Sequence, residues 1–321
     1  MPYALQRRHF ITLAAAAPLP ARAVAPPEPQ DITSVDWIKP VGQPLVLDKY
    51  GGVVHAVGFS GDGRQVLAEA DKTLFAFDAA SGKAVGPPGE SPLGLGSHAL
   101  FAPGGTRLFI VKWGTVISSE NGKRVVRAQG EVSSADWVAH KKDVLLPLTR
   151  EATAFAVSHD GKRVALGLSD GRLQLLDAVA GGSVLGPVEV YQGIKVGPSQ
   201  HIVDVSALAY SADDARIAFV GTDAAMRFLD ARTGKALGAP VSAATLGATS
   251  LIEHIAFAPD GKHIVAASQD RGLYLLDALH AKPLGPRLQM SNKATALAIS
   301  PDGKRVATGH FAGSLQLWNL N

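Results

Sequence analysis

The amino-acid sequence predicts an all-β chain whose short sheets stand radially and close into a ring. Three observations carry that expectation. One turn signature recurs along the chain, a second signature follows later in each unit, and the last unit stops a strand short of complete.

The last unit, residues 294–318, shows the pattern most clearly. Residues 296–299 are short and apolar and read as a strand. Ser300-Pro301-Asp302-Gly303 then makes a tight turn, with proline pre-set for the second position and glycine free to take positive φ. Residues 305–308 and 315–318 read as two further strands, separated by a glycine-containing bend at 311–313. Versions of the same turn follow Phe59, Phe101, Val157, Tyr210 and Phe257. Counted on to Ile299, the steps are 42, 56, 53, 47 and 42 residues. Periods of this length, with three or four strands per unit, indicate a β-propeller rather than a helical solenoid. Six blades are legible. Seven is the alternative, but the longest step has only about 14 residues beyond a normal repeat, too few for four strands.

The second signature closes the third strand of a unit: Phe77-Asp78, Leu176-Asp177, Leu229-Asp230, Leu276-Asp277 and Trp318-Asn319. After four of these comes an extended segment with Gly86-Pro87, Gly186-Pro187, Gly238-Ala239-Pro240 or Gly285-Pro286. With both signatures in register, the chain from about Val53 onward resembles the WD40 family, in a divergent bacterial form with leucine or phenylalanine mostly in place of tryptophan. In that family an aspartate before the third strand accepts hydrogen bonds in a network with Ser or Thr, His and Trp. Asp71, Asp170, Asp223 and Asp270 stand at that position, and Ala312 does in the last unit. The tryptophan is missing from the four aspartate units, so what the resemblance implies there is a structural cap on the bend through side-chain to backbone bonds.

Closure follows from the unfinished last unit. Residues 39–47 contain Gly42-Gln43-Pro44, the Gly-x-Pro pattern of an outer strand, and lie just before the first unit. They are expected to pair beside residues 315–318, joining the two ends of the ring and removing an open edge.

The N-terminus is different in kind. Arg7-Arg8-His9-Phe10-Ile11 precedes a mildly apolar run, and Ala21-Arg22-Ala23 fits a cleavage site. The segment resembles a twin-arginine export signal; an ordinary secretory signal is the alternative. The expected organisation is a signal peptide over 1–23, a proline-rich lead-in over 24–38 and a propeller over 39–321. The expected location is the bacterial periplasm or the exterior.

Composition narrows the function. The chain has 31 Lys and Arg against 28 Asp and Glu, and the signal segment holds three arginines and no acid. The remainder is therefore balanced, with no global charge to drive nucleic-acid binding. No apolar run is long enough for a membrane-spanning helix. There is no cysteine, which excludes disulfides, thiolate metal sites and a lipid anchor on cysteine.

In a ring of antiparallel blades, the turns after strands one and three share one face. The bends between strands two and three share the other with the crossovers to the next blade. The long steps place surplus residues at 130–150 and 188–204, expected in crossovers on that second face, where inserted loops usually carry binding. Trp113 is expected at a bend there, Trp137 in the first insertion, and Tyr191 and His201 in the second, as partner-binding residues. His55, His98 and His254 fall near the start of first strands, with Glu253 beside one of them, and are candidates for the mouth of the central channel. Their offsets differ, and no tight metal-binding motif supports a metal or other cofactor. Neither a nucleophile elbow nor a phosphate-cradling glycine loop is present. The expectation is a non-catalytic scaffold of the cell envelope that binds another protein and neither nucleic acid nor the membrane interior. The competing expectation is an exported propeller enzyme, lactonase-like and metal-dependent, or the propeller subunit of a redox enzyme.

Overall fold

The computed structural model describes residues 35–47, 52–91, 97–102, 105, 107–120, 123–136, 141–148, 150–191, 204–246, 248, 250–311 and 313–321. The expected signal segment, residues 1–23, lies outside them.

Two short strands, β1 (Ile38–Pro40) and β2 (Leu45–Val46), precede the first blade. Blade 1 is β3 (Val54–Phe59), β4 (Gln65–Ala70), β5 (Thr73–Asp78) and β6 (Gly89–Glu90). Blade 2 is β7 (Ser97–Phe101), β8 (Arg107–Glu120), β9 (Lys123–Asp136) and β10 (Lys141–Leu148). Blade 3 is β11 (Ala152–Val157), β12 (Arg163–Leu168), β13 (Arg172–Asp177) and β14 (Ser183–Glu189). Blade 4 is β15 (Val205–Tyr210), β16 (Arg216–Gly221) and β17 (Met226–Asp230). A short helix, α1 (Ala243–Leu246), leads to blade 5: β18 (Ile252–Phe257), β19 (His263–Ser268), β20 (Gly272–Asp277) and β21 (Leu288–Gln289). Blade 6 is β22 (Ala294–Ile299), β23 (Arg305–His310) and β24 (Ser314–Leu320). Each blade is an antiparallel meander, and together they form the six-bladed propeller. In blade 4 the fourth position is taken by residues 236–241, which bond to β17 through Leu237 N to Phe228 O and a reciprocal Met226–Val241 pair, all at 2.8 Å.

The recurring turn works through its serine and aspartate. In four blades the serine hydroxyl donates to the aspartate: Ser60 to Asp62, Ser158 to Asp160, Ser211 to Asp213 and Ser300 to Asp302, at 2.6–2.7 Å. The same carboxylates accept the amides of Arg64, Lys162, Ala215 and Lys304. In blade 4 the usual glycine is replaced by Asp214 at φ +56°. A non-glycine residue there costs about 1 kcal/mol. The Asp214 carboxylate offsets it by accepting the amides of His159 (2.7 Å) and Asp160 (2.9 Å) from the turn of blade 3.

The innermost strands meet around a central channel, and their side chains alternate in size. Ala207 and Ala209 of β15 share a core with Ile255 and Phe257 of β18. Ala296 and Ala298 of β22 share one with Val57 and Phe59 of β3. Small residues thus face one neighbour and large ones the other, as wedge-shaped blades require near the axis. Where blade 1 meets blade 2 the small residue is Gly58, and a Cβ built there would lie 2.5 Å from Phe101 Cβ.

Ring closure is as expected. β1 pairs with β24 through Ile38–Leu320 and Pro40–Trp318, and β2 through Leu45–Leu315 and Val46–Ser314. Between them Val41 N donates to Leu317 O at 2.8 Å, and just after β2 Leu47 N donates to Gly313 O at 2.8 Å. Pro40 is tolerated because this is an outer strand, with no partner waiting for its missing N–H. The latch begins ahead of residue 39. Trp37 and Ile38 are buried against blades 5 and 6, with Trp37 Nε1 donating to Pro286 O at 2.8 Å.

The surplus in blade 2 is placed differently from expectation. Residues 130–150 are mainly strand, the end of β9 and all of β10, and not a crossover loop. The extra length lies instead in the β8–β9 hairpin, whose strands run 14 residues each and pair from Arg107–Asp136 out to Glu120–Lys123. Asn121-Gly122 stands between them in sequence. That dipeptide, flanked by Val116-Ile117 and Val125-Val126, was the signal for a tight hairpin. A hairpin of that length absorbs the longest step and leaves six blades.

Replacing Gly58 by alanine should destabilise the fold by about 1–3 kcal/mol, the usual cost of overpacking a close contact. Gly89→Ala, where an added Cβ meets nothing within 4 Å, should change little. Urea unfolding midpoints of the two variants check this.

Candidate functional site

Five of the six inner strands carry a β-bulge at the same level. The pairing of β3, β11, β15, β18 and β22 with their neighbours skips one residue each: His55, Thr153, Ser206, Glu253 and Thr295. The pairing of β7 with β8 runs through without a shift. A bulge leaves its extra residue outside the ladder and re-aims its side chain. These positions lie near the starts of the inner strands, so they ring the channel mouth on the face of the crossovers.

The hydroxyls at this level tie blades together. Thr295 Oγ1 donates to Val54 O of blade 1 at 2.7 Å, and Ser206 Oγ lies 3.0 Å from Ile252 O of blade 5. Thr153 Oγ1 bonds within its own blade to Gly167 O at 3.3 Å. Glu253 is held by Lys293, whose Nζ lies 2.7 and 2.9 Å from its two oxygens. His55 is exposed, and His254, one step further in, is half-buried. His55, Glu253 and His254 line a common cavity of about 470 Å³ that runs along the inner strands. His98 lies on β7 opposite Val111, and its side chain is outside the described residues. Among the described residues, no group of three or more His, Cys, Asp or Glu side chains is placed to hold a metal ion.

The aromatic residues expected on the second face are distributed differently. Trp113 is not at a bend. It sits within continuous β8, paired with Gly130, and packs half-buried on a core shared by blades 2 and 3. A Cβ built on Gly130 would lie 2.4 Å from the Trp113 ring, so the glycine is the seat of the indole. Tyr191 is buried rather than presented. It meets Phe219 edge-on at 5.8 Å, and the Arg227 guanidinium covers its ring at 4.6 Å. Both aromatics bury more apolar area folded back than facing water. Trp137 and His201 lie outside the described residues. Among the described residues, the exposed aromatic on this face is Phe311, 55% accessible at the β23–β24 bend, with Lys293 Nζ 5.8 Å from its ring centre. Its signal in the sequence was a break in pattern: His310-Phe311 where other units carry polar bends.

Three of the four bend aspartates engage arginines. Asp170 accepts from Arg172 Nε at 2.9 Å and pairs with Arg150 Nε at 3.0 Å. Burial pushes the Asp170 carboxyl up, but the Arg172 bonds and the nearby arginine charges outweigh it and hold the group below its usual range. Asp223 accepts from Arg227 Nη1 at 3.0 Å and from the Ala225 amide at 3.3 Å. Asp270 bonds the Ser268 hydroxyl and pairs with Arg287 Nη2 at 3.0 Å. Asp71 opens the β4–β5 bend at φ +47°.

Blade 6 holds a network that its sequence spacing did not reveal. Trp318 Nε1 donates to Thr308 Oγ1 at 2.9 Å, and Thr308 Oγ1 lies 3.0 Å from His310 Nε2. His310 Nδ1 lies 3.2 Å from the Lys293 carbonyl. That carbonyl can only accept, so Nδ1 carries the proton and Nε2 accepts from the threonine hydroxyl. The histidine comes from the end of β23 itself. Burial pushes His310 down to about 4, against the pull of the Lys293 and Asn292 backbone. In blade 1 the buried Glu69, opposite Ala56, shows the reverse case. Burial pushes its carboxyl up to about 7, against the Lys72 amide and the Ser91 hydroxyl.

The WD40 family model, described as WD domain, G-beta repeat, matches residues 241–277 and 288–319. Each matched stretch starts on the outer edge of one blade, at Val241 beside β17 or Leu288 in β21, and ends on the third strand of the next. The repeats are therefore offset from the blades by one strand, the stagger that the latch at β24 completes. No curated protein matches the chain.

His310 and Glu69 give opposite pH dependences. A histidine held at about 4 in the fold, against about 6.5 unfolded, loses stability as pH falls through that interval. A carboxyl held at about 7, against about 4.5 unfolded, costs stability above pH 7 and regains it on acidification. Each amounts to about 3 kcal/mol over the window, so the two nearly cancel. Between pH 7 and 4.5, Glu69→Gln should make stability fall by about 3 kcal/mol, and His310→Asn should make it rise by a similar amount. Urea unfolding across that range checks both signs.

Proposed function

We propose that this chain, with its WD40 repeats on a six-bladed propeller, is a non-catalytic interaction platform exported to the cell envelope. It binds another protein across the face that carries the crossovers and the second-to-third-strand bends. The observation that carries this reading is Phe311. A large aromatic side chain stands 55% exposed at the rim of that face, beside a lysine fixed by its ion pair to Glu253. An exposed aromatic with a positioned cation beside it is the composition of an interface hot spot. The extended β8–β9 hairpin projects on the same face, so a non-repeating element and the exposed ring are presented together. Export rests on Arg7-Arg8-His9-Phe10-Ile11 and the Ala21-Arg22-Ala23 site. The charge balance left after residues 1–23 supports a protein partner over nucleic acid.

Affinity co-purification from the native host, with quantified recovery, tests the binding face. Phe311→Ser should lower partner recovery about tenfold, the effect of losing a modest hot spot. Leu279→Ser, an exposed change in the third-turn position on the opposite face, should leave it unaltered. The reverse pattern would move the interface to the other side of the ring. For export, Arg7→Lys with Arg8→Lys should retain the uncleaved chain in the cytoplasm; normal export of that variant would remove the twin-arginine route.

A further inference from the structure

The outer half of the blade 2 hairpin belongs to no blade. β8 pairs with β7 only between Leu108 and Lys112, and β9 with β10 only between Gly130 and Asp136. Beyond that level seven residue pairs, from Gly114–Gln129 to Glu120–Lys123, bond to each other, and among the described residues no strand covers either edge. The ribbon is about 23 Å long at roughly 3.3 Å per residue. Exposed strand edges are ordinarily blunted by lysine, proline or other charge, because a bare edge is a template for another strand.

The two edges of this ribbon differ in that respect. β9 carries Lys123, Arg124 and Arg127 over this length. Pairing it with itself about a two-fold axis centred on Val125 sets Lys123 opposite Arg127. Centring between Val125 and Val126 sets Arg124 opposite Arg127. Either of these registers brings like charges directly together, and centring on Val126 sets Arg127 diagonal to both Arg127 and Lys123 of the second copy, each at a cost. β8 reads Gly114-Thr115-Val116-Ile117-Ser118-Ser119-Glu120, with no proline, no basic residue and a single acid at its tip. Paired with itself about Ile117, it sets Val116 opposite Ser118, Thr115 opposite Ser119 and Gly114 opposite Glu120. No like charges meet, and β-branched residues hold the centre.

We propose that the outer edge of β8 pairs antiparallel with the same edge of a second copy of this chain, forming a closed two-fold dimer. The guarded β9 edge ends the sheet on each side, so the assembly stops at two. The β8 edge continues the side on which β7 lies, towards the channel, so the second copy overhangs the mouth face. Dimerisation is independent of the envelope partner, and the monomeric variants below separate the two.

Sedimentation velocity of the purified full chain, from about 1 to about 100 µM, reads the dimer directly. One variant removes residues 116–120 and 123–127, so that Asn121-Gly122 joins Thr115 to Ala128, a pair already in register. A second, Val116→Lys with Ser118→Lys, places like charges on the β8 edge while keeping its length. Wild type should sediment at twice the chain mass and both variants at the chain mass. Arg124→Ser on the β9 edge should remain dimeric. A monomeric wild type, an open-ended assembly, or variants that still dimerise would each overturn the proposal. Unchanged far-ultraviolet dichroism and a single cooperative melt show that the variants have kept the ring.

Discussion

The ring depends on one set of backbone hydrogen bonds, those between the N-terminal latch and β24. A radial array of sheets has no independent stability at its seam: blade 6 must pack on blade 1, and its third strand would otherwise offer a bare edge. β1 and β2 cover that edge with two short pairings, extended by the Val41 and Leu47 amides. The tie is reinforced beyond the strands. Asn321 donates its amide to Trp37 O at 3.0 Å, and its side chain donates to Asp36 O at 2.7 Å. Trp37 reaches across to Pro286, and Gly285 leaves room for it, since a Cβ there would lie 2.7 Å from the indole. Both ends of the ring are thereby spent on closure, and no disulfide is available to share the task.

Closure in turn fixes the axis. Once the first strands are held in a ring, the alternation of alanine or glycine with large apolar residues lets each wedge seat on the next. The bulges then do two things at once. They take one polar residue per strand out of the ladder, and they place it at the mouth, where Ser206 and Thr295 bond to the neighbouring blade. The mouth is therefore a structural seam as well as a candidate surface. Its polar groups are largely engaged: two hydroxyls across blades, one within a blade, and a carboxylate on Lys293. That lysine also links the mouth to the rim, through its position over Phe311 and its carbonyl on His310. Mouth, rim and buried Trp318 network in blade 6 are thus one connected region.

Much of this was legible from residues alone, and the reasons are specific. The Ser-x-Asp-Gly turn is a local device, complete within six residues, so its recurrence marked the blades correctly. The Gly-x-Pro pattern of residues 39–47 predicted the latch because an outer strand tolerates proline and needs few bonds. The candidate site fared less well. Trp113 was read at a bend between Ile110-Val111 and Val116-Ile117, whereas the strand continues and Gly130 across the ladder receives the ring. Tyr191 was read as presented, but Arg227 and Phe219, brought close by the packing of blade 4, cover it. Neither cover is local in sequence.

By itself the sequence determined the repeating unit, the order of strands within it, the closing segment and the lack of cysteine chemistry, since each is encoded within a repeat or by composition; the count of six was settled by the long hairpin of blade 2. Tertiary structure alone decided which side chains face water and which polar residues converge. His55, Glu253 and Thr295 belong to one ring only because bulges in separate strands fall at one level. Phe311 stands free because the bend that carries it leaves its ring uncovered. Exposure is set by what neighbouring blades cover, and no single repeat contains its neighbour.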